Sequence, residues 1–221
     1  MSVAVMNSPV MPYLWDDPLA FLPRRKPQRF QKDQTIYTPD DPADRLFLVV
    51  DGTVKLSRIS DSGRETVLDF CSADTFFGES AIMGRRDRGE SAVALDECSV
   101  MEWSRDELGQ LMLRTPELGP SMLRVMAAKL YDADTRIESL AIDQISQRLI
   151  KVLLRLGGQF GTPIGPLTLH IMPLTHELLA RYVGTSREII TQHMSQLRRK
   201  GVLEYSRAGI DFNPDELRAA L

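Results

Sequence analysis

Several ingredients are scarce in this chain, and each scarcity removes a class of function. Cysteine occurs twice in 221 residues, at Cys71 and Cys98, far apart and outside any C-x-x-C. That argues against a thiolate zinc site or an iron–sulfur cluster and points to a reducing compartment, the cytoplasm. Histidine occurs three times, at His170, His176 and His193, and not at all between residues 29 and 103. A metal-dependent enzyme on a β-barrel needs clustered His and carboxylate ligands on its strands, so the reading is of a protein that is not an enzyme. No apolar run reaches the ~18 residues of a membrane span. The opening MSVAVMNSPVMPYLWDD lacks the basic flank and apolar core of a secretory signal. A strong positive balance is also missing. The net charge is −3, and residues 169–221 carry seven Lys/Arg against six Asp/Glu. Any claim on nucleic acid must therefore rest on where the charges fall.

What remains is an ordinary globular composition, 43% hydrophobic and 26% charged. Residues 1–28 read as an N-terminal arm, with a short helix expected over 15–22 and no periodicity before it. Residues 29–115 read as a β-rich sensor domain. Arg45–Val50 is a buried-strand run, Asp51-Gly52 a turn, and Thr53–Ile59 alternates with period two. Asp61-Ser62-Gly63-Arg64 breaks the chain before a strand over Thr66–Phe70, and a last strand pair spans Ser91–Trp103. Short strands at such intervals predict a β-sandwich or barrel. A short helix follows over Asp106–Leu113.

Residues 116–142 read as the dimerisation segment, with one long helix expected from about Pro120 to Ala141. Leu123, Met126, Leu130, Ala133, Ile137 and Leu140 recur at spacings of three and four, the seam of a two-helix contact. A stripe packed on the chain's own β-domain is the plainer alternative. Residues 143–221 open with an amphipathic helix over Gln144–Leu156, a Gly/Pro-rich break GGQFGTPIGP, and a short strand over Leu167–Ile171.

Then comes a helix-turn-helix pattern. Thr175 is a natural N-cap, Leu178, Leu179 and Val183 give the first helix its apolar face, and Gly184 suits the tight turn. Thr185 or Ser186 caps a second helix buried through Ile190, Met194 and Leu197. Its opposite face carries Glu188, Thr191, Gln192, Ser195 and Arg199, side chains able to reach base edges in a major groove. Arg198-Arg199-Lys200 ends that helix, where cations suit both the helix dipole and a phosphate backbone. Val202–Ser206, the turn Arg207-Ala208-Gly209 and Ile210–Phe212 form a two-stranded wing. A plain helical hairpin would need neither this turn spacing nor a wing. Glu188 also fits a capping box with Thr185, which leaves open a role confined to the helix end.

The turns at Gly52 and Gly63, Phe77-Gly78-Glu79, the Ser91-Ala92 pair, the long helix and Gly184-Thr185-Ser186-Arg187-Glu188 together resemble the family of the cyclic-AMP receptor protein and the fumarate–nitrate reduction regulator, from about Arg29 to Phe212. The resemblance implies an α+β chain: a jelly-roll-like β-roll of the cyclic-nucleotide-binding type, a dimerisation helix, and a C-terminal winged helix-turn-helix. It implies a homodimer on a palindromic double-stranded DNA operator, controlling transcription through RNA polymerase, with no membrane partner. It further implies that Arg187 and Glu188 read bases, that Gln192 stands where a second arginine is common, and that Thr175 and Ser186 meet phosphates.

The effector pocket departs from that pattern. Its expected lining is Gly78, Glu79, Ser80, Arg88, Glu90, Ser91, Ala133 and Asp134. In the cyclic-AMP-binding members an arginine stands just before the Ser/Thr-Ala pair and neutralises the cyclic phosphate; here Glu90 occupies that place, and Arg88 lies two residues out of register. Two hydroxyl residues that meet the base correspond to Ala133 and Asp134. A pocket facing Glu79, Glu90 and Asp134 is expected to repel a phosphodiester, because burying an unpaired anion is costly. Cyclic AMP is thus disfavoured. The oxygen-sensing branch has an N-terminal cysteine cluster, whereas residues 1–35 contain no cysteine. Haem lacks a suitable axial histidine, since all three lie in the DNA-binding half, where surface or capping roles are expected. No cofactor is identified. Cys71 reads as a small buried strand residue. The alternative function is a cyclic-nucleotide-type regulatory subunit without DNA activity, against which the wing and Arg198-Arg199-Lys200 argue.

Overall fold

The apolar run after Arg45 is continuous because its strand is buried on both faces. The computed structural model describes residues 17–221. In it Arg45–Asp51 (β3) sends Phe47 and Val49 into one apolar cluster and Leu46 and Leu48 into another. β3 belongs to a sheet of order β1-β8-β3-β6, with β1 at Gln28–Phe30, β6 at Phe76–Phe77 and β8 at Cys98–Ser104. A second sheet, β2-β7-β4-β5, combines Thr35–Tyr37, Ser91–Ala94, Val54–Ile59 and Glu65–Cys71. Phe30, Tyr37, Phe47, Leu56, Phe77 and Ala92 fill the space between the sheets. This is the jelly-roll-like β-roll expected. The arm differs from expectation. Its helix is a single 3-10 turn at Pro18–Ala20, capped by the Asp17 carboxylate on the Leu19 N–H. The first two residues of the expected helix lie outside the described residues.

Leu46, Leu48, Phe76 and Trp103 on the outer face of the first sheet pack under Arg105–Arg114 (α1) and the start of Leu118–Ile142 (α2). Past Met122, α2 turns its apolar stripe to solvent: Leu123, Leu130, Ile137 and Leu140 are 68%, 64%, 63% and 53% exposed. Within the chain, therefore, these four side chains do not pack on the β-roll, whereas Met126 packs against its outer cluster. Met126 is half-buried and Ala133 exposed.

Ile145–Phe160 (α3) opens on a capping box between Gln144 and Gln147 and runs four residues further than its sequence predicts, straight through Gly157-Gly158. The reason is tertiary. A Cβ on Gly157 would stand 2.7 Å from the Phe212 ring, so the glycine is a close-packing site inside the helix and not a breaker. The wing is also larger than the two strands expected. Leu203–Tyr205 (β11) and Ile210–Phe212 (β12) join Leu169–Ile171 (β10) and Thr162–Pro163 (β9) in one sheet of order β11-β12-β10-β9. His170 Nδ1 lies 2.6 Å from the Asp211 carboxylate across β10 and β12, a cross-strand pair and not a cap.

The C-terminal helices do not hang free. Val67 and Phe70 of β5 belong to the same buried cluster as Leu149, Leu153, Leu179 and Tyr182. The Phe70 ring meets Tyr182 edge-on at 4.7 Å. Arg181 pairs with both Glu65 and Glu177, fixing the β5 hairpin to the helix that carries them. Cys71 and Cys98 are buried free thiols in the β-roll, and burial raises the pKa of each, that of Cys98 to about 11. Neither is poised as a thiolate.

Candidate DNA-reading face and effector pocket

His176–Val183 (α4) begins at Thr175, whose hydroxyl accepts from the Leu178 N–H at 3.1 Å. It ends at Gly184, held at φ +81 in the left-handed region that glycine alone enters without strain. The Gly184 and Thr185 N–H groups both return to the Ala180 carbonyl, at 2.9 and 3.0 Å, closing the turn. Arg187–Arg199 (α5) starts at Ser186, whose hydroxyl accepts from Ile189 at 3.5 Å. Ile190, Met194 and Leu197 fix α5 in the core, which leaves Arg187, Glu188, Thr191, Gln192, Arg198 and Arg199 facing outward.

On that surface the expected residues divide. Arg187, Glu188, Gln192 and Arg199 are exposed. The Glu188 carboxyl is held below the usual glutamate range by its own backbone N–H and by the Ser186 hydroxyl, so it stays ionised while serving the helix start. The Thr191 hydroxyl donates to the Arg187 carbonyl at 2.8 Å and also lies 2.9 Å from His176 Nδ1. Since a hydroxyl has one hydrogen, the histidine carries the proton in that pair. Burial and the neighbouring Arg187 lower the His176 pKa, which keeps the ring neutral.

Ser195 departs from its expected place. It is half-buried, its hydroxyl 3.4 Å from the Tyr205 hydroxyl on the wing. The same tyrosine takes the Arg198 guanidinium over its face at 4.8 Å and the His176 ring on its edge at 5.2 Å. Tyr205 is thus a latch joining α4, α5 and β11. The sequence reading missed it because nothing in the chain links residue 205 to residues 176, 195 and 198. Arg199 and Lys200 at the helix end and Arg207 in the wing turn remain exposed.

A second concavity, about 710 Å³, lies between the β-roll, α2 and α3. Of the residues expected to line it, Glu79, Glu90 and Ala133 do so. Gly78, Ser80, Arg88, Ser91 and Asp134 do not. Arg88 is buried away from it, donating to the Arg45 carbonyl at 2.7 Å and the Gly78 carbonyl at 3.2 Å with the Tyr37 ring 4.6 Å below. Asp134 is exposed, and Asp132 lines the wall in its stead.

The expected uncompensated negative charge is also corrected. Glu79 pairs with Lys129 of α2 at 2.7 Å. Arg155 of α3 grips Asp132 through two bonds of 2.9 and 2.7 Å and reaches Asp69 of β5 at 2.9 Å. Glu90 accepts from the Tyr37 hydroxyl at 3.0 Å, and burial raises its pKa. Sequence reasoning placed Glu79 and Glu90 but put Asp134 where Asp132 stands, and it missed Asp69, Lys129, Arg136 and Arg155, because the groups they meet lie tens of residues away in the chain. Two buried polar atoms in this lining, Glu79 Oε2 and Arg155 Nη1, have no hydrogen-bond partner among the described residues. Among the described residues no His, Cys, Asp or Glu side chains group as metal ligands, and no helix is long and apolar enough to cross a membrane.

Comparison with known proteins adds to this geometry. Residues 27–115 match the model of the cyclic nucleotide-binding domain, and residues 147–220 match that of the Crp-like helix-turn-helix domain. The chain is 30% identical, over 80% of its length and 79% of the relative's, to a CRP-like cAMP-activated global transcriptional regulator of Mycobacterium tuberculosis. It is also 30% identical to the global nitrogen regulator of Synechococcus elongatus, covering 85% of this chain and 86% of that one. Among solved structures, FixK2 of Bradyrhizobium japonicum superposes with a TM-score of 0.76 at 21% identity, over 88% of this chain and 97% of that one.

Proposed function

Because the chain belongs to the Crp–Fnr family of DNA-binding transcription regulators, we propose that it works as a homodimer reading a palindromic operator, under an effector other than cyclic AMP. The match of residues 147–220 to a helix-turn-helix leaves no support for a sensor subunit without DNA activity. Taken with the family, it also sets the enzyme reading aside.

The observation that carries the operator reading is the division of α5 into a buried face and an outward one bearing Arg187, Glu188 and Gln192. Arginine donates twice to guanine O6 and N7, an ionised glutamate accepts from cytosine N4, and glutamine suits adenine N6 and N7. Thr175, Ser186, Arg198, Arg199, Lys200 and Arg207 surround these groups with phosphate-seeking donors, adding salt-sensitive affinity that carries no sequence information. Thr191 and Ser195 take a supporting part, since their hydroxyls are engaged within the protein.

The exposed stripe of α2 supports a two-fold contact that sets two recognition helices about one helical turn, ~34 Å, apart. We place the division of labour at residues 1–28, 29–115, 116–142 and 143–221, and the protein in the cytoplasm, acting on RNA polymerase. The orphan oxygen of Glu79 and the orphan nitrogen of Arg155 favour an effector that carries both a donor and an acceptor. Selection from a random duplex library, with the parent protein and with Gln192→Arg, tests the operator reading. The expected outcome is a shared palindromic half-site that changes at the step under residue 192. Identical half-sites from the two proteins would show that Gln192 reads no base.

A further inference from the structure

A cleft separate from the β-roll pocket lies where the long helix meets the DNA-binding unit. It is walled by α2, α3 and α4 and encloses about 330 Å³, at the lower end of the roughly 300–1,000 Å³ typical of ligand pockets. Val152, Leu154 and Val183 make its apolar surface, to which Leu140, also a member of the α2 stripe, adds within a single chain. Its polar rim is dominated by cations, and internal pairing leaves some of them over. Lys151 is committed to Asp143 at 2.6 Å, and Arg155 to Asp132 and Asp69. Among the described residues Arg136 makes no direct salt bridge, although Asp69 and Asp132 are near enough to favour its charge; it donates to the Leu68 carbonyl and lies over the Tyr182 ring at 4.5 Å. Arg148 makes none either among those residues, though, after Lys151, its charge helps hold the Asp143 carboxyl below the usual range. Its one hydrogen bond there is 3.3 Å to the Leu140 carbonyl, and its Nε is buried without any hydrogen-bond partner.

A buried guanidinium N–H without an acceptor costs stability until something supplies one. A small apolar-floored cleft whose rim carries two guanidinium groups in no direct salt bridge, one of them with a buried N–H left over, has the complementarity of one kind of molecule. We propose that this cleft is a second ligand site, taking a small amphipathic carboxylate: a single ring or short branched chain on the apolar floor, with its carboxylate on Arg148. Arg136, already held by Tyr182, supplies the longer-range attraction. Because the walls belong to the dimer helix on one side and to the helices bearing the DNA-reading face on the other, an occupant favours whichever relative placement forms the cleft. It shifts DNA affinity by its differential affinity for the two placements. This site shares Asp132, Arg136 and Arg155 with the lining of the β-roll pocket, so the two are electrostatic neighbours without being one cavity.

The test is fluorine NMR titration of the full-length protein with para-fluorobenzoate, with para-fluorobenzamide as the neutral probe. Saturable binding of the acid is expected, with the amide at least about tenfold weaker, on the order of one charge-assisted hydrogen bond. Arg148→Gln should weaken the acid by a similar factor, and Val152→Phe, which fills the floor, should abolish binding. Glu79→Gln, in the β-roll pocket, should leave the titration unchanged. Absence of saturation, as when a partner protomer covers the cleft, overturns the proposal. So do equal binding of acid and amide, indifference to both Arg148→Gln and Val152→Phe, or loss on Glu79→Gln.

Discussion

The exposed stripe of α2 gives a prediction whose size follows from the structure. Leu130 and Ile137 keep 64% and 63% of their surface in water within one protomer. Fully burying such a side chain stabilises by roughly 1.5–3 kcal/mol, so covering the exposed part across a two-fold axis contributes about 1–2 kcal/mol each. Two residues on each of two helices then supply about 4–8 kcal/mol of association free energy. The loss of translational and rotational freedom on pairing is common to parent and variant, so it cancels in the difference. Replacing both residues with glutamate removes the apolar gain and sets four carboxylates facing one another. Dissociation should rise by roughly a thousand- to five-hundred-thousand-fold, giving monomers at micromolar protein. Sedimentation velocity reads the mass directly, and a gel shift on the selected operator should show specific binding lost along with the dimer. The stability of the isolated β-roll should barely change, since neither side chain contacts it. A dimer that persists in the double variant and still binds the operator would refute the seam and assign the stripe to another partner.

Other outcomes can be stated more briefly. Arg155→Met strips Asp69 and Asp132 of their shared cation and should cost about 2–3 kcal/mol in urea unfolding, after discounting Asp132 for its exposure. A loss under about 0.5 kcal/mol would mean that the clasp is solvated and holds nothing. Burial, opposed by the Tyr37 hydrogen bond, raises the Glu90 pKa. The favourable contribution of its neutral form is therefore complete below the ordinary glutamate value and fades as pH rises through the raised one. Glu90→Gln should accordingly gain stability relative to the parent as pH rises from the ordinary glutamate value through the raised one; a difference between the two proteins that does not vary with pH sinks that reading. Calorimetry with cyclic AMP should show no saturable heat at micromolar nucleotide, because Glu90 stands in the phosphate-facing place and Arg88 is tied to the Arg45 and Gly78 carbonyls. Tight binding with Arg88 turned onto the phosphate would reverse it.

By itself the sequence determined those features of the protein that are written in neighbouring residues. The period-two strands, the helical period of α2 with its apolar stripe, the cap–helix–Gly184–cap–helix pattern and the cation cluster at Arg198-Arg199-Lys200 are local signals. Backbone sterics and burial of one face enforce them wherever the chain folds. Tertiary structure decided what depends on partners distant in the chain. Glu79 looked like a free anion until α2 brought Lys129 to it, and Asp69 and Asp132 were unconnected until α3 placed Arg155 between them. Ser195 shared a helix face with Gln192 until the wing set Tyr205 against it, and Gly157-Gly158 resembled a helix end until Phe212 needed the space. Charges pair and rings pack through space within a few ångströms, while composition and periodicity record only neighbours along the chain. The pocket's electrostatics therefore could not be summed from its own motif. They followed from which long-range pairs the fold completed and which, at Glu79 Oε2 and Arg155 Nη1, it left open.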